Sequence, residues 1–95
     1  MPKIYISGKI TGLSNYKEIF KQAEVALTAE GHSVINPAEV MPDGFDYEDY
    51  MSVDFALIRV CDSLYVLNNW RDSPGAIREV EYAGRLGKAI MFEGD

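Results

Sequence analysis

Four short runs of aliphatic, aromatic and β-branched residues, separated by longer segments with helical spacing, constrain the fold of this chain more than any other feature. The runs are Lys3-Ile4-Tyr5-Ile6-Ser7, His32-Ser33-Val34-Ile35, Ser63-Leu64-Tyr65-Val66-Leu67 and Lys88-Ala89-Ile90-Met91-Phe92. Their apolar character is nearly continuous instead of alternating, the pattern of strands covered on both faces.

The first connection predicts a helix opening at Asn15, with Glu18 as the reciprocal acid of a capping box, and ending at Gly31. Tyr16, Ile19, Phe20, Ala23 and Leu27 form its apolar stripe, and Lys17, Lys21, Glu24 and Glu30 its solvated face. Asn36-Pro37 ends the second strand, and Met41 to Asp46 is a loop with turn chemistry at Pro42-Asp43-Gly44, suited to cover a site. His32, the single histidine, reads as a loop residue. A second helix spans Tyr47 to Cys61, with Tyr47, Tyr50, Met51, Leu57, Ile58 and Cys61 on one face. The third is capped by Ser73, has Pro74 at its first position and stops at Gly87. Ala76, Val80, Ala83 and Gly84 make its expected packing face.

The order βαβαβαβ implies a parallel sheet with helices on both faces. Right-handed crossovers then favour a three-layer, doubly wound α/β fold of strand order 2-1-3-4, of flavodoxin or Rossmann type. Ninety-five residues make a single domain, 1–95. In such sheets a ligand binds beyond the carboxyl ends of the strands where the order reverses, here between the first and third. The loops Gly8 to Ser14, Asn36 to Asp46 and Asn68 to Ser73 meet at that edge.

A formal net charge of −6 excludes general nucleic-acid binding, which needs a basic surface, but leaves room for a small phosphorylated ligand. The single cysteine, Cys61, excludes an internal disulfide and fits a reducing compartment. No apolar run reaches the roughly 18–20 residues of a membrane span, and Met1-Pro2-Lys3 does not open a signal peptide, so a soluble cytoplasmic protein without a membrane partner is expected.

Gly8-Lys9-Ile10-Thr11-Gly12-Leu13-Ser14 carries glycines and hydroxyls between a strand and a helix, and such a turn can present N–H groups to a phosphate or sugar. It matches neither the dinucleotide fingerprint nor a P-loop, and a plain connection reads equally well. Glu79 falls at the edge of the third helix's packing face, in its first turns, where the dipole favours an ionised carboxylate. Asp54 projects into the apolar stripe of the second helix, a violation of binary pattern of the kind found at functional sites. A carboxylate beside a loop of free N–H groups and a second acid on an apolar face suggest retaining glycosyl transfer, with Glu79 as nucleophile and Asp54 as acid. One histidine and one cysteine leave only carboxylates as metal ligands, so neither a metal nor a cofactor is expected.

These elements together resemble the nucleoside 2-deoxyribosyltransferase-like superfamily, in particular its small, often phage- or prophage-borne, DUF4406-like members of poorly characterised function. The resemblance rests on Ile4-Tyr5-Ile6-Ser7-Gly8 with Thr11-Gly12, the Gly31 to Pro37 segment, Asp54 eight residues before Asp62, and the run from Ser73 to Lys88. It implies a catalytic glutamate eight residues before the glycine of Gly87-Lys88, which is Glu79. It implies that Asp54 holds the sugar or protonates the base, and that Tyr5 assists the nucleophile. Nucleotide-specific members carry a serine six residues before the glutamate, here Ser73, and Lys9 with Thr11 add phosphate contacts. The candidate substrate-binding residues are Ser7, Gly8, Lys9, Thr11, Gly12, Asn36, Trp70, Ser73 and Gly75. The implied partners are a nucleoside monophosphate or nucleoside and further copies of the chain in a homo-oligomer. The chain departs from the family in ending right after its fourth strand, so the C-terminal piece that can reach a neighbouring subunit's site is expected to be missing.

Three functions fit these residues. The first is cleavage or exchange of the N-glycosidic bond of a (deoxy)nucleotide through a Glu79 adduct. The alternative is a non-catalytic nucleotide-capturing protein on the same fold. The third is a partner-binding domain in which Glu79 and Asp54 merely pair with Arg78, Arg71 or Arg85. Trp70 serves any of them, by stacking a base or by filling core.

Overall fold

The computed structural model describes residues 2–94; Met1 and Asp95, the ends of the expected domain, lie outside the described residues. The elements run β1 (Lys3–Ser7), α1 (Tyr16–Ala29), β2 (Ser33–Ile35), α2 (Tyr47–Val60), β3 (Ser63–Val66), α3 (Pro74–Arg85) and β4 (Ala89–Phe92). Single 3-10 turns occupy Pro37–Glu39 and Trp70–Asp72. The sheet is wholly parallel with order β2-β1-β3-β4, the doubly wound arrangement that the alternating pattern implies.

The strand alternation of β1 sorts the core into two layers. Ile4 and Ile6 pack with Phe20, Ala23 and Leu27 of α1 on one face. Tyr5 points to the other face, among Ile58 and Cys61 beside α2, Leu64 and Val66 of β3, and Ala83 of α3. Tyr5 and Ser7 thus share the face covered by α2 and α3, and both are wholly buried. β1 pairs with β2 on one side and β3 on the other, so its carboxyl end is held in the middle of the sheet.

Three sequence expectations change. Asn15 makes no capping bond with its side chain; its backbone is not in the extended conformation that aims an Asx oxygen at the first helical N–H groups. A side-chain bond of the capping-box kind occurs at α2 instead, where the Asp46 N–H donates to Asp49 Oδ2 at 3.1 Å. The buried stripe of α3 is Ala76, Glu79 and Ala83, with Val80 half-buried and Gly84 exposed. Because α3 rests against α2 as well as the sheet, its packing face turns toward Glu79, which moves from the expected edge to the centre. Ser73 does cap α3, accepting from the Ala76 N–H at 3.1 Å. Among the described residues no helix is long and apolar enough to cross a membrane.

Candidate active site

A cavity of about 650 Å³ opens at the carboxyl ends of β1 and β3, between α2, α3 and the loops that follow β1 and β2. Tyr5, Asp54 and Glu79 line it, with Gly8, Lys9 and Thr11 from the first loop and Ser73 to Ala76 from the start of α3. The remaining wall is largely apolar and aromatic: Tyr16, Phe20, Pro37, Ala38, Met41, Tyr47, Tyr50 and Met51.

Glu79 is only 5% exposed. Its two oxygens are held separately: the Ser7 hydroxyl donates to Oε1 at 2.7 Å and the Tyr5 phenol donates to Oε2 at 2.8 Å. A single strand therefore supplies both donors, two positions apart and on one face. Asp54 reaches the same group from α2, where it interacts with both Glu79 and Tyr5.

Burial and Asp54, more than the helix dipole, set the electrostatics of Glu79. Glu79 sits in the second turn of α3, beyond the reach of most of that effect. Burial, and then the neighbouring Asp54 carboxyl, push its pKa well above the ordinary glutamate value, against the pull of Ser7 and Tyr5. Asp54 is raised as well, by desolvation, with its bonds to Glu79 and Tyr5 opposing. Burial and the Glu79 and Asp54 charges raise Tyr5, which stays protonated and a donor. Glu79 and Asp54, neighbours at one cavity, therefore ionise as a pair and not independently.

The candidate residues divide by position. Tyr5, Gly8, Lys9, Thr11, Asp54, Ser73, Gly75 and Glu79 line one cavity. Ser7 lies beneath Glu79 with no exposure, behind the wall. Gly12, at φ +80°, shapes the turn of the first loop and is not among the lining residues. Asn36 is engaged elsewhere: its Nδ2 donates to Glu24 Oε1 at 3.1 Å and its Oδ1 accepts from the Ala38 N–H at 3.0 Å. Trp70 lines a separate depression of about 280 Å³, with Phe92 5.6 Å away and the Arg71 guanidinium 5.4 Å over its ring.

The loop after β2 contributes Met41 and Asp43 to the cavity, and the Tyr50 hydroxyl ties that loop to α2 by donating to the Pro42 carbonyl at 2.8 Å. Tyr16 and Phe20 of α1, and Met51 of α2, were legible only as core; nothing in helical spacing separates a side chain that fills a core from one that ends at a cavity wall. Arg78, the candidate structural partner of Glu79, turns to Glu48 with bonds of 3.0 and 3.3 Å, and among the described residues neither Glu79 nor Asp54 is in an ion pair. Lys9 is also in no ion pair among them, and its backbone N–H donates to Asn69 Oδ1 at 2.9 Å, which holds the first loop against the turn after β3.

Three solved structures share this architecture. The 2-deoxyribosyltransferase of the psychrotolerant bacterium Bacillus psychrosaccharolyticus superposes with a TM-score of 0.74 at 24% identity, over 95% of this chain and 70% of that one. A 2-deoxyribosyltransferase from Leishmania mexicana gives 0.75 at 18% identity, over 97% and 63%. A CMP N-glycosidase from Clostridium botulinum gives 0.65 at 19%, over 95% and 66%. The chain thus spans less than two thirds of the length of the last two. No curated protein matches the sequence. A family model described as "Domain of unknown function (DUF4406)" matches residues 2–92. With that match running through every strand and helix described above, the chain belongs to the DUF4406 family and carries the fold of the nucleoside 2-deoxyribosyltransferases.

Proposed function

We propose that the protein cleaves or exchanges the N-glycosidic bond of a (deoxy)nucleoside monophosphate. The observation that carries this reading is the meeting of Glu79 and Asp54 at the floor of a cavity of nucleoside size, with Glu79 held by Tyr5 and Ser7. The names of the similar structures, two 2-deoxyribosyltransferases and a CMP N-glycosidase, support the same type of chemistry.

The roles follow from what each carboxyl touches. Glu79 has two hydroxyl donors that stabilise its anion, so it is the nucleophile. Asp54 is less deeply buried and lines the cavity, so it is placed to take over the pair's proton from Glu79 and hand it to the base. A Glu79 oxygen attacks the anomeric carbon while the bond to the base breaks; the bonding pair leaves with the base nitrogen, which takes the proton from Asp54. The resulting glycosyl ester is released when Asp54, now a base, activates water or an acceptor base. The pair ends with the proton it began with.

The start of α3 and the first loop supply the phosphate end. Ser73 and Gly75 place the amino end of a helix at the cavity wall, and Lys9 and Thr11 face it from the loop. Asp43 and Asp72 share that wall, so discrimination in favour of a phosphorylated ligand rests on Lys9. The aromatic side, Tyr16 and Phe20, takes the base.

Incubation with purine and pyrimidine nucleoside monophosphates, following free base, tests this. Base release that vanishes in Glu79→Ala is expected, with a covalent glycosyl adduct on the wild-type chain by intact mass. Tight binding without release, unaffected by that substitution, would instead favour capture of a nucleotide without turnover.

A further inference from the structure

We propose that Ser7 is a positioning residue: its buried hydroxyl fixes the plane of the Glu79 carboxylate for attack. The inference rests on the reading of Glu79 as nucleophile. Ser7 has no exposure and does not line the cavity, so no ligand touches it, yet its hydroxyl lies 2.7 Å from Glu79 Oε1.

The terminal torsion of a glutamate is broad, and a carboxylate held at one oxygen swings about it. Tyr5 alone would leave Glu79 in that condition. Ser7 holds the second oxygen from the same strand, and that strand is locked: Ser7 pairs with Val66 of β3, and its carbonyl accepts from the Leu67 N–H at 2.8 Å. Two donors on one rigid strand define a plane. The residue type supports the assignment, since the run Ile4-Tyr5-Ile6-Ser7 needs no hydroxyl for packing and a buried one must find a partner.

The groups facing Glu79 leave little substitute. Tyr5 and Ser7 face it from β1, Asp54 from α2; Lys9 and Asp72 stand elsewhere on the cavity wall, and Arg78, its neighbour on α3, is engaged by Glu48. Among the described residues the hydroxyls that donate to its oxygens are those of Tyr5 and Ser7. Removing Ser7's hydroxyl therefore removes one of the two hydroxyl donors to the anion.

The experiment follows the Glu79 carboxyl carbon by NMR titration in the full chain, alongside the pH profile of base release, for wild type, Ser7→Ala and Ser7→Thr. In Ser7→Ala the Glu79 midpoint is expected to rise by about one unit, the usual scale for a hydrogen bond to a charged group. The acidic limb of the profile moves up with it, and kcat falls roughly 10- to 100-fold with KM unchanged. Ser7→Thr, which keeps the hydroxyl, retains the wild-type midpoint. A folded Ser7→Ala with unmoved midpoint and limb overturns the proposal. So does an equal shift in a folded Ser7→Thr, which would trace the effect to packing. If the wild-type chain releases no base, the glycosidic reading fails by itself, and the carboxyl titration still decides whether Ser7 governs Glu79.

Discussion

The phenol of Tyr5 and the carboxylate of Glu79 meet at 2.8 Å across 74 residues of chain. The contact joins the first strand to the third helix, and it exists because β1 and β3 are neighbours while α3 folds back over both. The bond is buried, so it serves stability as well as the site. Tyr5→Phe deletes the donor and leaves Oε2 unpaired in a dry place. A loss of about 1–3 kcal/mol is expected by denaturant titration at neutral pH. An unchanged midpoint would mean that Glu79 is protonated there and finds Asp54 instead.

Glu79 makes stability depend on pH with a definite sign. Its pKa is higher in the folded chain than the ordinary 4.5, so folding takes up a proton. That contribution is full below the ordinary value and is lost as pH rises through the raised folded one. Glu79→Gln is neutral throughout and escapes the loss. The melting-temperature difference, variant minus wild type, should therefore grow as pH rises from the ordinary glutamate value through the raised folded one. A flat difference would place Glu79 in contact with water.

Gly8 is required by contact with its neighbour. A Cβ there would stand 2.6 Å from Leu67 Cδ1 and 3.0 Å from Leu67 Cβ, and Leu67 is itself only 1% exposed. Gly8→Ala should cost about 1–3 kcal/mol as Leu67 is forced aside. Thermal or chemical unfolding measures this without any ligand.

Lys9 separates phosphorylated from unphosphorylated ligands. It is the cation among the cavity residues, against the carboxyls of Asp43, Asp54, Asp72 and Glu79. Lys9→Ala should weaken binding of a nucleoside monophosphate about tenfold and leave the matching nucleoside nearly unchanged. Calorimetric titration with both compares them directly. Equal losses would move the phosphate away from this loop.

Sequence by itself determined the elements and their order. Uninterrupted apolar runs such as Ile4-Tyr5-Ile6, set between helical periods, leave few solutions other than a parallel sheet covered on both faces, and right-handed crossovers then arrange the strands. Asp54 was visible as a charge inside an apolar stripe. What lay beyond sequence was which way each face turned. Glu79 looks like an edge residue on an isolated wheel, and only the docking of α3 against both α2 and the sheet buries it beside Ser7 and Tyr5. The same packing sends Asn36 to Glu24 and Trp70 to a separate depression. Periodicity is a property of neighbours along the chain, whereas the ionisation of Glu79 depends on groups brought to it from β1 and α2, and no local pattern encodes how deeply they enclose it.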